Sequence, residues 1–393
     1  MEWLFFLLPI AALSGWIAAR SHYKKHPILT SQPVSADYFK GLNYLLNEQP
    51  DKAIDVFIHL LEVNSETIET HLTLANLFRK KGESERAIRI HQNLIARPTL
   101  TTAQRDQILI ELGLDYMHAG VLDRAEQLFL ELLDKASPSP QAIEQLLRIY
   151  QQEKEWLKAI EMAKKLYAQR RTEMGPLIAQ FYCELAVQNS NVSDSEIMSL
   201  IKSAQYYDHN CVRTALLEAN IHIANSKHRK ALKSLDRIEQ HDPLYLPEAL
   251  PLMLTCYKSI NKPTVFETQL KSILTRHPNM TAARLMLTSI IQQQHGTQAA
   301  QDYLYEQLQR FPSVEGLDKL INLGDQANPS LVPLIKGISE KLKRRGHRYS
   351  CKQCGFSGKS MHWQCPGCKQ WSTVKPTEIH LSTLESLLES HHE

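Results

Sequence analysis

Glycine is scarce in this chain, with 14 in 393 residues. Doubly wound α/β enzymes and nucleotide-binding folds need glycine at their βα turns and phosphate loops, so the shortage counts against that class. Excess charge of one sign is missing too. Lys and Arg number 45 against 42 Asp and Glu, for a net charge of +3. That gives no electrostatic case for nucleic acid, which calls for a clustered basic face. There is no phosphate loop, no nucleophile motif and no His/carboxylate metal triad, so the residues offer an enzyme nothing to work with. A disulfide framework is also lacking. Cysteines number seven, an odd total. Cys183, Cys211 and Cys256 stand far apart in helix-like segments and are expected to be small buried hydrophobes. Cys351, Cys354, Cys365 and Cys368 fall within 18 residues. One tight cluster among scattered thiols points to a reduced compartment and a single metal site.

What the chain does have is helix-forming composition: leucine, isoleucine, alanine, glutamine and lysine dominate. Hydrophobic content of 43% and charged content of 22% are ordinary for a globular protein, and the length suits two or three structural units.

The run Trp3 to Ala19 carries no charge. At 1.5 Å per residue it is at the short end of what crosses a bilayer core of about 30 Å. Trp3 and Trp16 sit near its two ends, where interfacial aromatics belong. Arg20, Lys24 and Lys25 follow, while Met1 and Glu2 precede. A cleaved signal peptide wants its basic residues before the apolar run; here they come after it, as in a stop-transfer segment. The positive-inside rule then puts the remainder of the chain in the cytoplasm.

From about residue 36 the sequence repeats itself. Ala53 in PDKAIDVFIHLL and Ala87 in ESERAIRIHQNLI are 34 residues apart, as are Ala125 in LDRAEQLFLELL and Ala159 in WLKAIEMAKKLY. Ala231 and Ala300 continue the series, and Pro243, Pro278 and Pro312 mark the ends of units 35 and 34 residues apart. A small residue at the start of each second helix lets two helices approach closely. Apolar residues follow it at helical spacing, such as Leu128 and Leu132, or Phe57 and Leu61. Gly82 and Gly120 fall where the chain must reverse. This pattern resembles the tetratricopeptide repeat, a helix–turn–helix unit of about 34 residues. About eight units fit between residues 36 and 312, and the fifth, near 176–209, is degenerate. Such arrays expose a concave groove suited to a peptide, a helix or another domain.

Residues 349–376 contain two Cys-x-x-Cys pairs with ten residues between them. Each pair can form a knuckle whose sulfurs converge, and two knuckles make a tetrahedral four-thiolate site for zinc or iron. Gly355 follows the first pair, where a tight turn is needed, and Pro366 and Gly367 stiffen the second. The spacer is shorter than that of the usual zinc ribbon, so the domain is expected to depend on its metal for folding. Tyr349, Phe356, Trp363 and Trp371 are expected to form its small core or its contact with the last repeat. His362 is read as a surface or packing residue. The metal is read as structural or regulatory before electron-transferring, because no flavin, haem or nicotinamide motif accompanies it.

The short anchor ending in GWIAAR, the repeat array and the terminal YxCxxCGF…WxCPxCxxW module together resemble the lipopolysaccharide assembly protein B family of Gram-negative bacteria. The resemblance runs over the whole chain and is most specific from Tyr349 to Trp371. It implies an all-α fold: a tetratricopeptide-repeat superhelix with an N-terminal transmembrane helix and a small C-terminal rubredoxin-like metal knuckle. It implies a non-enzymatic inner-membrane adaptor that holds down lipopolysaccharide synthesis, with its repeats and metal domain facing the cytoplasm. The implied partners are the membrane-bound protease FtsH, the lipid A deacetylase LpxC that is delivered to it, and other lipopolysaccharide assembly proteins. Nucleic acid is not among them; self-association is compatible with the array. Cys351, Cys354, Cys365 and Cys368 take the ligand role for one iron ion, with zinc as the alternative. A redox- or iron-responsive scaffold with another client is the competing reading. The expected layout is an anchor over 1–20, a linker over 21–35, repeats over 36–312, a capping helix pair over 313–346, the metal-binding domain over 347–376 and a tail over 377–393. In that tail Leu381, Leu384, Leu387 and Leu388 form a short apolar stripe, read as a closing helix or a docking peptide.

Overall fold

A computed structural model describes residues 36–47, 68–98, 100–135, 139–168, 170–188, 193–324 and 347–377, together with positions 16, 49, 52, 53 and 56. The anchor read at 3–19, the linker at 21–35, the pair Phe57 and Leu61, the second capping helix and nearly all of the tail lie outside the described residues. Among the described residues no helix is long and apolar enough to cross a membrane.

The described chain is α-helical up to the knuckle. In order, the helices are α1 (Ala36–Leu46), α2 (Ile68–Lys80), α3 (Ser84–Ile95), α4 (Thr102–His118), α5 (Leu122–Leu133), α6 (Pro140–Glu153), α7 (Trp156–Tyr167), α8 (Arg171–Gln188), α9 (Asp194–Tyr207), α10 (Val212–Ala224), α11 (His228–His241), α12 (Leu246–Ser259), α13 (Pro263–Arg276), α14 (Thr281–Arg310) and α15 (Val314–Leu323). Three short strands follow: β1 (Tyr349–Cys351), β2 (Ser357–Gly358) and β3 (Val374–Pro376). The chain divides into two units, Met1–Ala142 and Ile143–Glu393.

Helices pair as the period requires. Gly82 and Gly120 take positive φ, +85° and +77°, at the turns between α2 and α3 and between α4 and α5. A left-handed residue there ends one helix and sends the chain back along it. The alanines that mark the second helices, Ala87, Ala125, Ala159, Ala231 and Ala300, are fully buried. A larger side chain at those points would push the two helices of a unit apart. Helix α14 is two helices meeting at Gly296, whose φ of 87° breaks the helical path between a first half and a second half that carries Ala300. The degenerate fifth unit is still a helix pair, α8 with α9.

In the first unit the core is built from Leu72, Ala75 and Phe78 of α2, Ala87, Ile90 and Leu94 of α3, and Ile108 of α4. Thr101 caps α4 in a capping box: its hydroxyl accepts from the Gln104 amide, and the Gln104 side chain accepts from the Thr101 amide. A buried polar chain crosses this unit. Arg79 donates to Asp115 Oδ1 at 2.8 Å and to Glu111 Oε2 at 2.6 Å, and His91 Nδ1 lies 2.5 Å from Asp115 Oδ2. In the second unit the core follows the same stripe from Ala215 of α10 through Leu235, Leu250 and Phe266 to Leu287 of α14. Cys183, Cys211 and Cys256 are buried in this unit, as expected of small hydrophobes.

Candidate metal centre and its seat on the repeats

The knuckle begins on β1, which lies between β2 and β3 in an antiparallel sheet of order β2-β1-β3. Tyr349 faces Gly358 on one side and Pro376 on the other, and Cys351 faces Val374. Cys351 ends the strand, and the chain turns at once: the Gly355 amide donates to the Cys351 carbonyl at 3.0 Å, and the Cys351 amide donates to the Phe356 carbonyl at 2.7 Å. Gly355 holds φ at +74°, as the turn expected after the first pair demands. The second pair repeats the device. Lys369 directly follows Cys368, has φ of 60°, and donates its amide to the Cys365 carbonyl at 2.9 Å. Gly367 lies beside the cluster: a Cβ there would stand 3.4 Å from Cys354 Sγ and 3.9 Å from Cys365 Sγ.

The four predicted cysteines come together. Their sulfurs all lie within 4.8 Å of one another, with Cys351 to Cys368 at 3.7 Å and Cys354 to Cys365 at 3.6 Å. Four sulfurs around an ion at about 2.3 Å define a tetrahedron with edges of about 3.8 Å, so the spacing fits a single metal ion. The donors are all soft, a set that suits zinc and iron alike. At Cys351 the surroundings favour thiolate. Thr373 Oγ1 lies 3.3 Å from Cys351 Sγ and the Gln353 amide donates to that sulfur at 3.4 Å. The Thr373 hydroxyl first, and the Cys354 and Gln353 amides after it, outweigh desolvation and bring Cys351 down to about 6. For Cys368 the Gln370 amide acts downward, but desolvation and the three neighbouring thiols prevail and push it up to about 11. Three sulfurs competing with a fourth for ionisation is the situation that a dication relieves. His362 stands apart from the four sulfurs: its Nε2 is 3.1 Å from Ser360 Oγ and its ring meets Phe356 edge-on.

The knuckle is seated on the repeats, and its seat corrects one expectation. Among the described residues, the ring contacts and hydrogen bonds by which Trp371, Trp363 and Tyr349 reach the repeats fall between α6 and α12 and not on the last repeat. Trp371 sets its edge against Trp156 of α7 and Phe181 of α8, with ring centroids 6.0 and 5.8 Å away, and donates its indole N–H to Gln151 Oε1 of α6 at 3.1 Å. Trp363 stacks on Tyr245 at 5.4 Å, with the Arg213 guanidinium at 5.4 Å from the indole. Tyr349 donates to Glu248 Oε1 at 2.6 Å. Tyr349, which also reaches Glu248, and Phe356 lie in the knuckle core, as expected. The physical reason is that the tandem repeats leave a face of α6 to α12 lined by wide aromatic and polar side chains, which the helix pairs themselves do not cover.

Polar bonds fix the orientation of this seat. Gln180 Nε2 donates to Ser372 Oγ at 2.9 Å, Tyr245 donates its hydroxyl to the Val374 carbonyl at 3.1 Å, and Lys375 pairs with Asp242 at 2.5 Å while lying 4.2 Å from the Tyr245 ring centroid. Burial, and then the Asp242 charge, raise the Tyr245 phenol well above its ordinary range, so it stays a donor. Sequence reasoning missed Gln151, Trp156, Gln180, Phe181, Arg213, Asp242, Tyr245 and Glu248. One signal was available: Gln180 is a polar residue in the middle of α8, in the unit that departs from the repeat pattern.

A tetratricopeptide repeat family model matches residues 70–103, and a rubredoxin metal binding domain model matches residues 349–376. A relative from Escherichia coli named lipopolysaccharide assembly protein B is 38% identical over 383 residues, covering 96% of this chain and 98% of its own length. One of the same name from Haemophilus influenzae is 36% identical over 394 residues with the same coverage. The chain belongs to the lipopolysaccharide assembly protein B family. Within it, the four-cysteine, rubredoxin-like metal site of this chain is a terminal module packed against a repeat scaffold. Among solved structures, a tetratricopeptide repeat protein from Parabacteroides merdae aligns with 70% of this chain and 100% of its own at 13% identity, with a TM-score of 0.33.

Proposed function

We propose that this protein acts in lipopolysaccharide assembly as a non-enzymatic adaptor of the inner membrane. Residues 3–19 anchor it, the repeats and the metal domain face the cytoplasm, and the array delivers the deacetylase LpxC to the protease FtsH. The observation that carries the reading is the family relationship, which extends over 98% of the length of relatives named for lipopolysaccharide assembly. The architecture supports it. Helical repeats supply extended surface for protein partners. Cys351, Cys354, Cys365 and Cys368 serve as the ligands of one metal ion, iron before zinc. When bound, the ion neutralises thiolate charge and ties the two knuckles into one body. The layout follows the sequence reading: anchor 1–20, linker 21–35, repeats 36–312, capping pair 313–346, metal domain 347–376 and tail 377–393.

A second reading, a metal- or redox-responsive scaffold, is favoured by one observation: Cys354 is exposed while Cys351 and Cys365 are buried. An oxidant or chelator reaching Cys354 would loosen the module that covers α6 to α12. The experiment separating these readings depletes the protein in its own host, blocks translation, and follows the lifetime of LpxC. A lengthened lifetime with more lipopolysaccharide supports the adaptor. An unchanged lifetime overturns it. If the lifetime changes only when the four cysteines are intact and the metal is reduced or removed in the cell, the responsive reading stands.

A further inference from the structure

A cavity of about 840 Å³ lies in the second unit, beside the knuckle and away from its four sulfurs. Its apolar wall comes from Leu244 in the turn before α12, from Pro247 and Pro251 of α12 and from Leu285 and Met286 of α14. Leu244 is 51% exposed, although it is a large hydrophobic residue within a packed unit. The opposite rim belongs to the knuckle: Arg348 and Lys352, both exposed, and the end of β3 at Pro376 and Thr377. Of the other charged groups on the lining, Arg276 and His277 are engaged by Glu239, and Glu248 is engaged by Tyr349. Arg348 and Lys352 therefore set the sign of the knuckle rim. Glu315 also lines the cavity, and its Oε2 is buried without a hydrogen-bond partner, which leaves an acceptor for whatever enters.

We infer that this cavity is the docking groove for the chain's own C-terminal segment, residues 378–393. Thr377 is itself part of the lining, so the segment leaves the described fold at the mouth of the groove and needs no linker to reach it. Its composition complements the walls. Leu381, Leu384, Leu387 and Leu388 fall at helical spacing, which places four leucines on one side of a helix to meet Leu244, Leu285 and Met286. The segment carries Glu378, Glu385, Glu389 and Glu393 and no Lys or Arg, opposite in sign to Arg348 and Lys352. His380 and Ser382 bring donors for the orphaned Glu315 oxygen. Sixteen residues wound as a helix span about 24 Å, and Thr377, where the segment is rooted, already lies on the lining. The docking does not depend on the adaptor reading.

The test uses the full chain with a benzophenone-bearing amino acid in place of the exposed Leu244, and in a second variant in place of Met286. Light and heavy isotope-labelled chains are mixed before irradiation, and the crosslinked peptides are mapped by mass spectrometry. The expected result is a product joining each position to 378–393 within one chain, with no light–heavy product. Arg348→Glu with Lys352→Glu should lower its yield several-fold, and Leu384→Asp with Leu387→Asp should abolish it while the metal content stays the same. If neither position yields a product with 378–393, the inference is overturned. If that product joins light to heavy chains, the groove belongs to the tail of a second copy and the same-chain occupant is overturned.

Discussion

At the scale of single residues, the metal module is held to the repeats by a few side chains that differ in what they contribute. Trp371 offers two separable interactions: ring edges against Trp156 and Phe181, and an N–H to Gln151. Trp371→Phe keeps most of the ring contact and strands the Gln151 oxygen, which should cost about 1 kcal/mol. Trp371→Ala removes both and should cost about 2–3 kcal/mol, less than for a fully buried tryptophan because the residue is only half-buried. Denaturant unfolding followed by tryptophan fluorescence reads the two values. Metal content measured alongside should stay at one ion per chain, since Trp371 touches none of the four sulfurs. Tyr349 adds a pH dependence. Burial and its bond to Glu248 push its phenol up to about 12, above the ordinary value near 10. A raised folded-state value means that its contribution is complete below pH 10 and fades as the pH climbs towards 12. Unfolding midpoints measured across that window should fall more steeply for the parent chain than for Tyr349→Phe.

At the scale of elements, each helix pair can be read locally but the seat of the knuckle cannot. The 34-residue spacing from Ala53 to Ala87 and from Ala125 to Ala159 marks the second helices because a close helix approach tolerates only a small residue, and that constraint is written at each position. Gly82, Gly120 and Gly355 announce reversals for the same local reason: their φ is positive. The four sulfurs are also local, brought together by two turns of five residues. By contrast, the bond from Gln180 to Ser372 joins residues 192 positions apart, and that from Trp371 to Gln151 joins residues 220 apart. No periodicity records such pairings. The departure of α8 from the repeat pattern is their one trace, and its meaning emerges only when Gln180 and Phe181 are found beneath Ser372 and Trp371. The knuckle itself has strands of two or three residues and a core of Tyr349, Cys351, Cys365 and Val374. So small an element cannot hold its shape by burial alone. Removing the ion with a strong chelator should therefore unfold 349–376 while α6 to α13 stay helical. Hydrogen exchange should show amides such as Cys351, Gly355 and Lys369 losing protection, and the faces of α8 and α12 gaining exchange without losing their helical bonds. Helix loss across the whole second unit on chelation would instead make the ion a keystone of the repeats.

At the scale of the whole molecule, helical repeats present extended surface for partners, and the proposed output is the meeting of other proteins. For an adaptor bridging a soluble enzyme and a membrane protease, the anchor acts through effective concentration. A partner confined to the bilayer is met by a tethered chain at a local concentration of order millimolar, where a free chain must find it by diffusion. The gain over a single weak contact can reach roughly two to four orders of magnitude without any new interface. Deleting residues 1–20 removes that gain and leaves the helices from α1 onward and the knuckle whole, because none of those residues belongs to them. The truncated chain should keep its helical content, its metal and its unfolding midpoint. It should fail to shorten the lifetime of LpxC at the parent's expression level, and it should recover activity when the first twenty residues are replaced by an unrelated single-pass helix of the same orientation. Recovery through an unrelated helix would mean that the tether alone matters. Failure of that swap, with the fold intact, would mean that residues 1–20 themselves contact a partner within the membrane. Full activity of the untethered chain would refute the bridging reading altogether.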